Sequence, residues 1–105
     1  MLDHAREVRE MIKGCSRSEL ESDRKLNLAL TRLMEIIGEA AVRTPDSFRK
    51  KHPEIPWSEI AALRNRLIHG YDRINLDVLW AIIRDDIPPL TAQLQHILES
   101  EIPEE

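Results

Sequence analysis

Leu26, Leu30, Leu33, Ile37 and Ala41 recur at steps of four, three, four and four, a spacing that puts all five on one face of a helix. No other feature limits the fold as strongly. Ser22 is a candidate N-cap ahead of this run, with Asp23 in the first turn. Pro45 closes it, because the residue before a proline is driven out of helical geometry. The spacing therefore predicts a helix from about Asp23 to Val42. Gly38 lies in its interior, where glycine costs about 1 kcal/mol of helix propensity. A close approach by a second helix is the expected compensation. No stretch alternates apolar and polar residues as a half-buried strand would.

The remaining segments read as helices too. Leu2 to Lys13 carries a loose stripe of Leu2, Val8, Met11 and Ile12, with Gly14 placed to end it. Ser16 to Glu21 reads as a connector with room for one short turn. Asp46 to His52 forms one or two turns capped by Asp46. Pro53 and Pro56 bracket an extended link, and Pro56 or Trp57 opens a helix that Gly70 ends. Asn75 caps the last helix, with Asp77 near its positive end. Leu79, Ile83, Ile87, Leu90, Leu94 and Ile97 form its core stripe, and Pro88-Pro89 predicts a kink or a break. The expected fold is all-α, a compact bundle of four to five helices. It forms one domain over residues 1–100, and an acidic tail follows at 101–105. The composition agrees, with 42% hydrophobic residues but only 4% aromatic ones. A chain of 105 residues buries a limited share of its surface, so size alone is compatible with an oligomer, in which a second copy would add core.

Cys15 is the only cysteine, which excludes an internal disulfide or a thiolate metal cluster. There is no basic segment followed by an apolar run, and no run of about 18 apolar residues. Neither a signal peptide nor a membrane span is expected, and the location predicted is cytoplasmic. His4, His52, His69 and His96 lack ligand spacing, so no metal and no cofactor is expected. The net charge of −4 argues against a non-specific nucleic-acid coat. Residues 43–73 nevertheless carry seven Lys/Arg against four acids. That concentration could steer a short phosphate-bearing substrate.

Inside that basic stretch lies Arg64-Asn65-Arg66-Leu67-Ile68-His69-Gly70-Tyr71. It combines a permanent cation, an amide, a group that titrates near neutrality and a phenol. RNA carries its own nucleophile, the 2′-hydroxyl. An enzyme needs only to remove that proton, stabilise the phosphorus intermediate and protonate the leaving 5′-oxygen. His69 can act as base or acid, and Arg64 can hold the phosphate by bidentate hydrogen bonds. Arg64 and His69 are five positions apart, about 140° around a continuous helix, and so do not share a face. Gly70 could let the chain turn at His69, or a symmetry mate could supply second copies of both residues. Each residue also has a structural role open to it. Arg64 could pair with Glu39, His69 could cap a helix end, and Asn65 and Arg66 could be solvated. Trp57 and Trp80 fit core or interface anchors better than base-stacking platforms.

The motif, read as R-N-x-x-x-H-x-Y, resembles the signature of the HepT-like branch of the HEPN ribonucleases, toxins of a two-gene toxin–antitoxin system. Three further blocks are similar in order. They are Ile37-Gly38-Glu39-Ala40 within Leu33–Ala41, His52-Pro53-Glu54-Ile55-Pro56-Trp57, and Trp80 with Asp86, Pro88 and Leu90. The resemblance runs from about Leu2 to Ser100. It implies a metal-independent endoribonuclease acting on RNA (mRNA or tRNA), with Arg64 and His69 catalytic and Asn65 and Arg66 positioning the RNA. It further implies that both motif copies meet at a homodimer interface. Tyr71 would be the site to which a minimal nucleotidyltransferase antitoxin transfers AMP. The competing readings are a non-catalytic helical dimerisation or interaction module, and a nucleotide-binding regulatory subunit of a nucleotidyltransferase.

Overall fold

A computed structural model describes residues 1–67 and 74–101. Among them every regular element is helical: α1 (Leu2–Met11), α2 (Arg17–Ser22), α3 (Arg24–Arg43), α4 (Asp46–Lys51), α5 (Trp57–Ala61), α6 (Leu63–Leu67), α7 (Leu76–Ala81), a π-helical turn (Ile82–Asp86) and α8 (Ile87–Glu101). The expected all-α class holds. The segments outnumber the expected four or five helices because α2 is a helix in its own right and two longer helices are interrupted.

α3 is the central element, packed against α1, α2, α5 and α6. Leu30, Leu33, Ile37 and Ala41 are buried as their spacing requires, Leu26 is half-buried, and Met34 joins the core from the same side. Asp23 is the N-cap rather than Ser22, since its carboxylate accepts the Leu26 N–H at 3.0 Å. Ser22 instead ends α2. That short helix forms because Ser16 and Glu19 make a reciprocal capping box. In α1 the buried residues are Ala5 and Val8, and Met11 points outward. Gly14 adopts φ +75°, the left-handed geometry that ends the segment. Pro45, not Asp46, occupies the N-cap of α4, where Asp46 is the first helical residue.

The close approach expected at Gly38 is present. A Cβ there would stand 3.1 Å from the Ile60 carbonyl oxygen and 3.6 Å from that of Ala61. The segment lying on Gly38 is the end of α5. Immediately beyond it the expected single helix breaks at Ala62 (φ −87°, ψ 3°), and α6 begins. Ile60 and Leu63, either side of the break, are both buried.

The break in the C-terminal helix also differs from expectation. It falls at residues 82–86, ahead of the prolines, as a π turn in which the Ile87 N–H bonds the Ile82 carbonyl. Pro88 and Pro89 have no N–H to offer the carbonyls one turn earlier. In the first turn of α8 that deficit is tolerated, and the wider turn absorbs the mismatch. Leu79, Ile83, Ile87, Leu90 and Ile97 are buried, and Leu94 partly so.

Candidate active site

The approach to the motif is a packed corner. The Trp57 indole N–H donates to the His52 carbonyl at 2.9 Å. Phe48 packs edge-on to Trp57, with ring centroids 6.1 Å apart, and lies 4.6 Å from the His52 ring. His52 and Ile55 are buried, and His52 Nδ1 lies 3.4 Å from a Glu54 carboxylate oxygen. Trp57 is thus an anchor at the start of the segment, as its sequence context predicts.

α6 is short but firmly seated. Leu63 and Leu67, one turn apart, are 2% and 1% exposed, while Arg64, Asn65 and Arg66 between them all face solvent. The Leu67 carbonyl accepts the Asn75 N–H at 2.7 Å, so the chain is pinned where α6 ends and again where α7 approaches. Asn75 caps α7 as expected, its side-chain oxygen accepting from the Asp77 and Val78 N–H groups at 3.1 Å each. Asp77 in turn receives Arg17 from α2 at 2.6 and 3.0 Å. This hydrogen bond raises the Arg17 pKa above its ordinary value, and the smaller contribution of Glu21 acts in the same direction. α2, read from sequence as a connector, therefore helps to hold the far anchor of the motif.

Arg64 and Arg66 have different surroundings. Glu39, the carboxylate considered for Arg64, pairs with Arg43 at 3.0 Å. Among the described residues the Arg64 guanidinium has neither an ion pair nor a hydrogen bond. Arg66 reaches Asp86 of the π turn at 3.3 Å. Asp86 is the aspartate of the Trp80-to-Leu90 block, so two sequence blocks meet in this contact. His69, Gly70 and Tyr71 lie outside the described residues, and so does the expected relation between His69 and Arg64.

Beside Arg66 runs a groove of about 270 Å³ between the α5–α6 segment and the π turn. Ile60, Leu63, Ile82 and Ile87 form its floor, and Glu54, Glu59, Asp85 and Asp86 stand on its walls. Carboxylates in that number disfavour a phosphodiester there. Among the described residues no three His, Cys, Asp or Glu side chains gather as metal ligands.

Cations are also shared out differently from their order in sequence. Of those in the basic stretch, Arg49 is used in capping α3, donating to the Thr44 and Val42 carbonyls at 2.8 and 2.7 Å. A second basic surface, unnoticed in the sequence, is formed by Arg6 and Arg9 of α1 and Lys13 just beyond it, together with Arg84 of the π turn. The signal for its first three members was available, since steps of three and four put them on one helix face.

An all-helical domain with an exposed Arg-Asn-Arg face, anchored by a buried Leu pair, defines the protein class more narrowly once compared with known sequences. Residues 1–97 match the family described as "Ribonuclease HepT-like". A protein of Caldanaerobacter subterraneus subsp. tengcongensis named "Putative RNase" is 42% identical over 92 residues, covering 88% of this chain and 82% of its own length. A protein of Thermococcus cleftensis named "Probable ribonuclease HepT" is 43% identical over 75 residues, covering 71% of this chain and 68% of its own. A third, from Methanocaldococcus jannaschii and named "Putative RNase", is 36% identical over 97 residues, covering 92% and 89%. No solved structure matches the chain. The class is endoribonuclease. The chain belongs to the HepT-like ribonuclease family. No helix among the described residues is long and apolar enough to cross a membrane.

Proposed function

We propose that this ribonuclease is the toxin of a type VII-like toxin–antitoxin pair, cutting mRNA or tRNA at a composite site where Arg64 and His69 of two subunits meet. The observation that carries this reading is the exposed Arg64 guanidinium. It has no partner among the described residues and sits on a helix whose Leu63 and Leu67 are buried. An exposed cation on a seated helix, without a partner among the described residues, is suited to a phosphate that arrives from outside the domain. In the proposed reaction a base removes the 2′-hydroxyl proton and the 2′-oxygen bonds to phosphorus. The bond to the 5′-oxygen breaks, and an acid protonates that oxygen as it leaves. His69 supplies one or both proton transfers, and Asn65 and Arg66 position the strand. Neither a metal nor a cofactor enters this scheme.

Control falls to Tyr71. A minimal nucleotidyltransferase antitoxin would direct the Tyr71 phenol oxygen onto the α-phosphate of ATP. Pyrophosphate leaves, the phenol proton passes to solvent, and AMP remains on the tyrosine. Tyr71 is two residues from His69 in sequence, so the added phosphate would compete with RNA by charge and by volume. The test incubates wild type and Tyr71→Phe with an active nucleotidyltransferase partner and ATP, then measures intact mass and RNA cleavage. The wild type should gain whole AMP increments on Tyr71 and lose activity, while the Phe variant should gain none and keep cutting. No adduct on the wild type would remove the modification claim.

A further inference from the structure

The groove between α1 and the π turn has no part in the reading above, and its chemistry is distinctive. Arg6 and Arg9 are exposed on α1, and Lys13 is exposed in the turn that follows it. Arg84 faces them across a floor that includes Ile83 and Pro88, enclosing about 610 Å³. Among the described residues Arg6 and Arg9 make no ion pair, and Lys13 makes only an exposed contact of 3.5 Å with Glu10. Arg6, Arg9, Lys13 and Arg84 thus line the groove against one acid, Glu10, with Arg84 already held by Asp85, in a chain whose net charge is −4.

The π turn sorts charge between its two sides. Asp85 and Asp86 border the acidic groove beside Arg66, and Arg84 borders the basic one. Among the described residues no aromatic side chain lines the basic groove, so they offer no platform for base stacking there. Guanidinium forks hold phosphate oxygens bidentately without needing such a platform. The family's substrate is a polyanion with many phosphates, and the site at Arg64 addresses only the one being cut.

We propose that the α1/π-turn groove is a second RNA-binding site that holds the phosphate backbone of the substrate away from the cleavage point, with Arg6 and Arg9 as its principal contacts. The inference rests on the ribonuclease reading, and it also specifies where affinity for long RNA resides. Contacts of this kind are independent of sequence and weaken as salt displaces them.

The experiment titrates labelled single-stranded RNA into the full chain over a salt series and follows anisotropy. It compares wild type, an Arg6→Gln/Arg9→Gln double variant, an Arg24→Gln/Lys25→Gln control of equal charge loss, and Asp85→Asn. The Arg6/Arg9 variant should raise Kd at least about tenfold at low salt, with the slope of log K against log salt falling by about 1.4 for two lost contacts. The control should move both quantities much less. Asp85→Asn removes the carboxylate that holds Arg84 at 2.9 and 3.1 Å, and should tighten binding. Equal effects from the control and the Arg6/Arg9 variant would overturn the proposal, as would an unchanged Kd and slope. Unchanged RNA affinity with lost inhibition by the nucleotidyltransferase would also overturn it, because the groove would then be a protein-docking surface. Binding is read without catalysis, so a wild type that binds RNA through this groove but never cuts it would refute the toxin reading and leave the groove standing.

Discussion

Arg64 and Arg66 stand two residues apart on one short helix, both exposed, and are expected to respond differently to substitution. Arg64→Ala should abolish cleavage while circular dichroism and the unfolding midpoint stay unchanged, because the side chain is exposed and makes no hydrogen bond or ion pair among the described residues. Loss of helical content in this variant would reassign Arg64 to structure. Arg66 is tied to Asp86 in an ion pair whose two side chains are 39% and 49% exposed, and such pairs contribute about 0–1 kcal/mol. Asp86→Asn should therefore change stability by less than about 1 kcal/mol. It would also free a cation and remove an anion beside the motif, so KM for RNA should fall in steady-state assays. A rise in KM would mean that the ion pair positions Arg66 for substrate. Sequence alone exposed the motif itself, since its residue types and spacing are local facts. The Arg66–Asp86 contact was not legible, because it joins two blocks separated by 20 positions and depends on a π turn that shifts the register between them.

At the scale of elements, the helices marked by periodic apolar residues and caps were readable, while the interruptions were not. Ala61-Ala62-Leu63 is made of the strongest helix formers, yet the helix breaks there, where α5 meets Gly38 and Ile60 and Leu63 both enter the core. Tertiary packing overrides local propensity at that joint. Gly38→Val should accordingly destabilise the fold by about 1–3 kcal/mol through overpacking against the Ile60 backbone, measured by chemical denaturation. Stabilisation would show that helix propensity dominates at this position. α2 was legible only as a connector with room for one short turn, because six residues carry too little periodicity to register, although its capping box was written in Ser16 and Glu19. Asn75, by contrast, was legible as a cap, and Asn75→Ala should cost about 0.5–2 kcal/mol. The π turn supplies a pH effect. Its Arg84 side chain hydrogen-bonds Asp85 and holds that carboxyl below its ordinary value. A lowered folded pKa stabilises at pH above the unfolded value, and the contribution is lost as pH falls through the folded one. Carboxyl NMR titration should find Asp85 below the usual aspartate range and returning upward in Arg84→Ala. An unmoved Asp85 titration would show that the Arg84 contact does not form in solution.

For the whole molecule, charge is organised by surface. An acidic groove and a basic groove flank one π turn, and the exposed Arg-Asn-Arg face of α6 provides a further basic site. The all-α class and the family were legible because helical periodicity and four motif blocks span nearly the whole chain. The α1 groove was not, since Arg84 joins it only through the fold. A composite site requires two subunits, so light scattering should give the mass of a dimer at micromolar concentration, and an active monomer would contradict that assembly. The most direct test of the central claim is end-group analysis of RNA cut by the purified chain, with Arg64→Ala and His69→Ala beside it. The expected result is a 2′,3′-cyclic phosphate on one fragment and a 5′-hydroxyl on the other, with neither variant producing them. Fragments ending in a 3′-hydroxyl and a 5′-phosphate, or full activity in either variant, would contradict attack by the 2′-hydroxyl at an Arg64/His69 site.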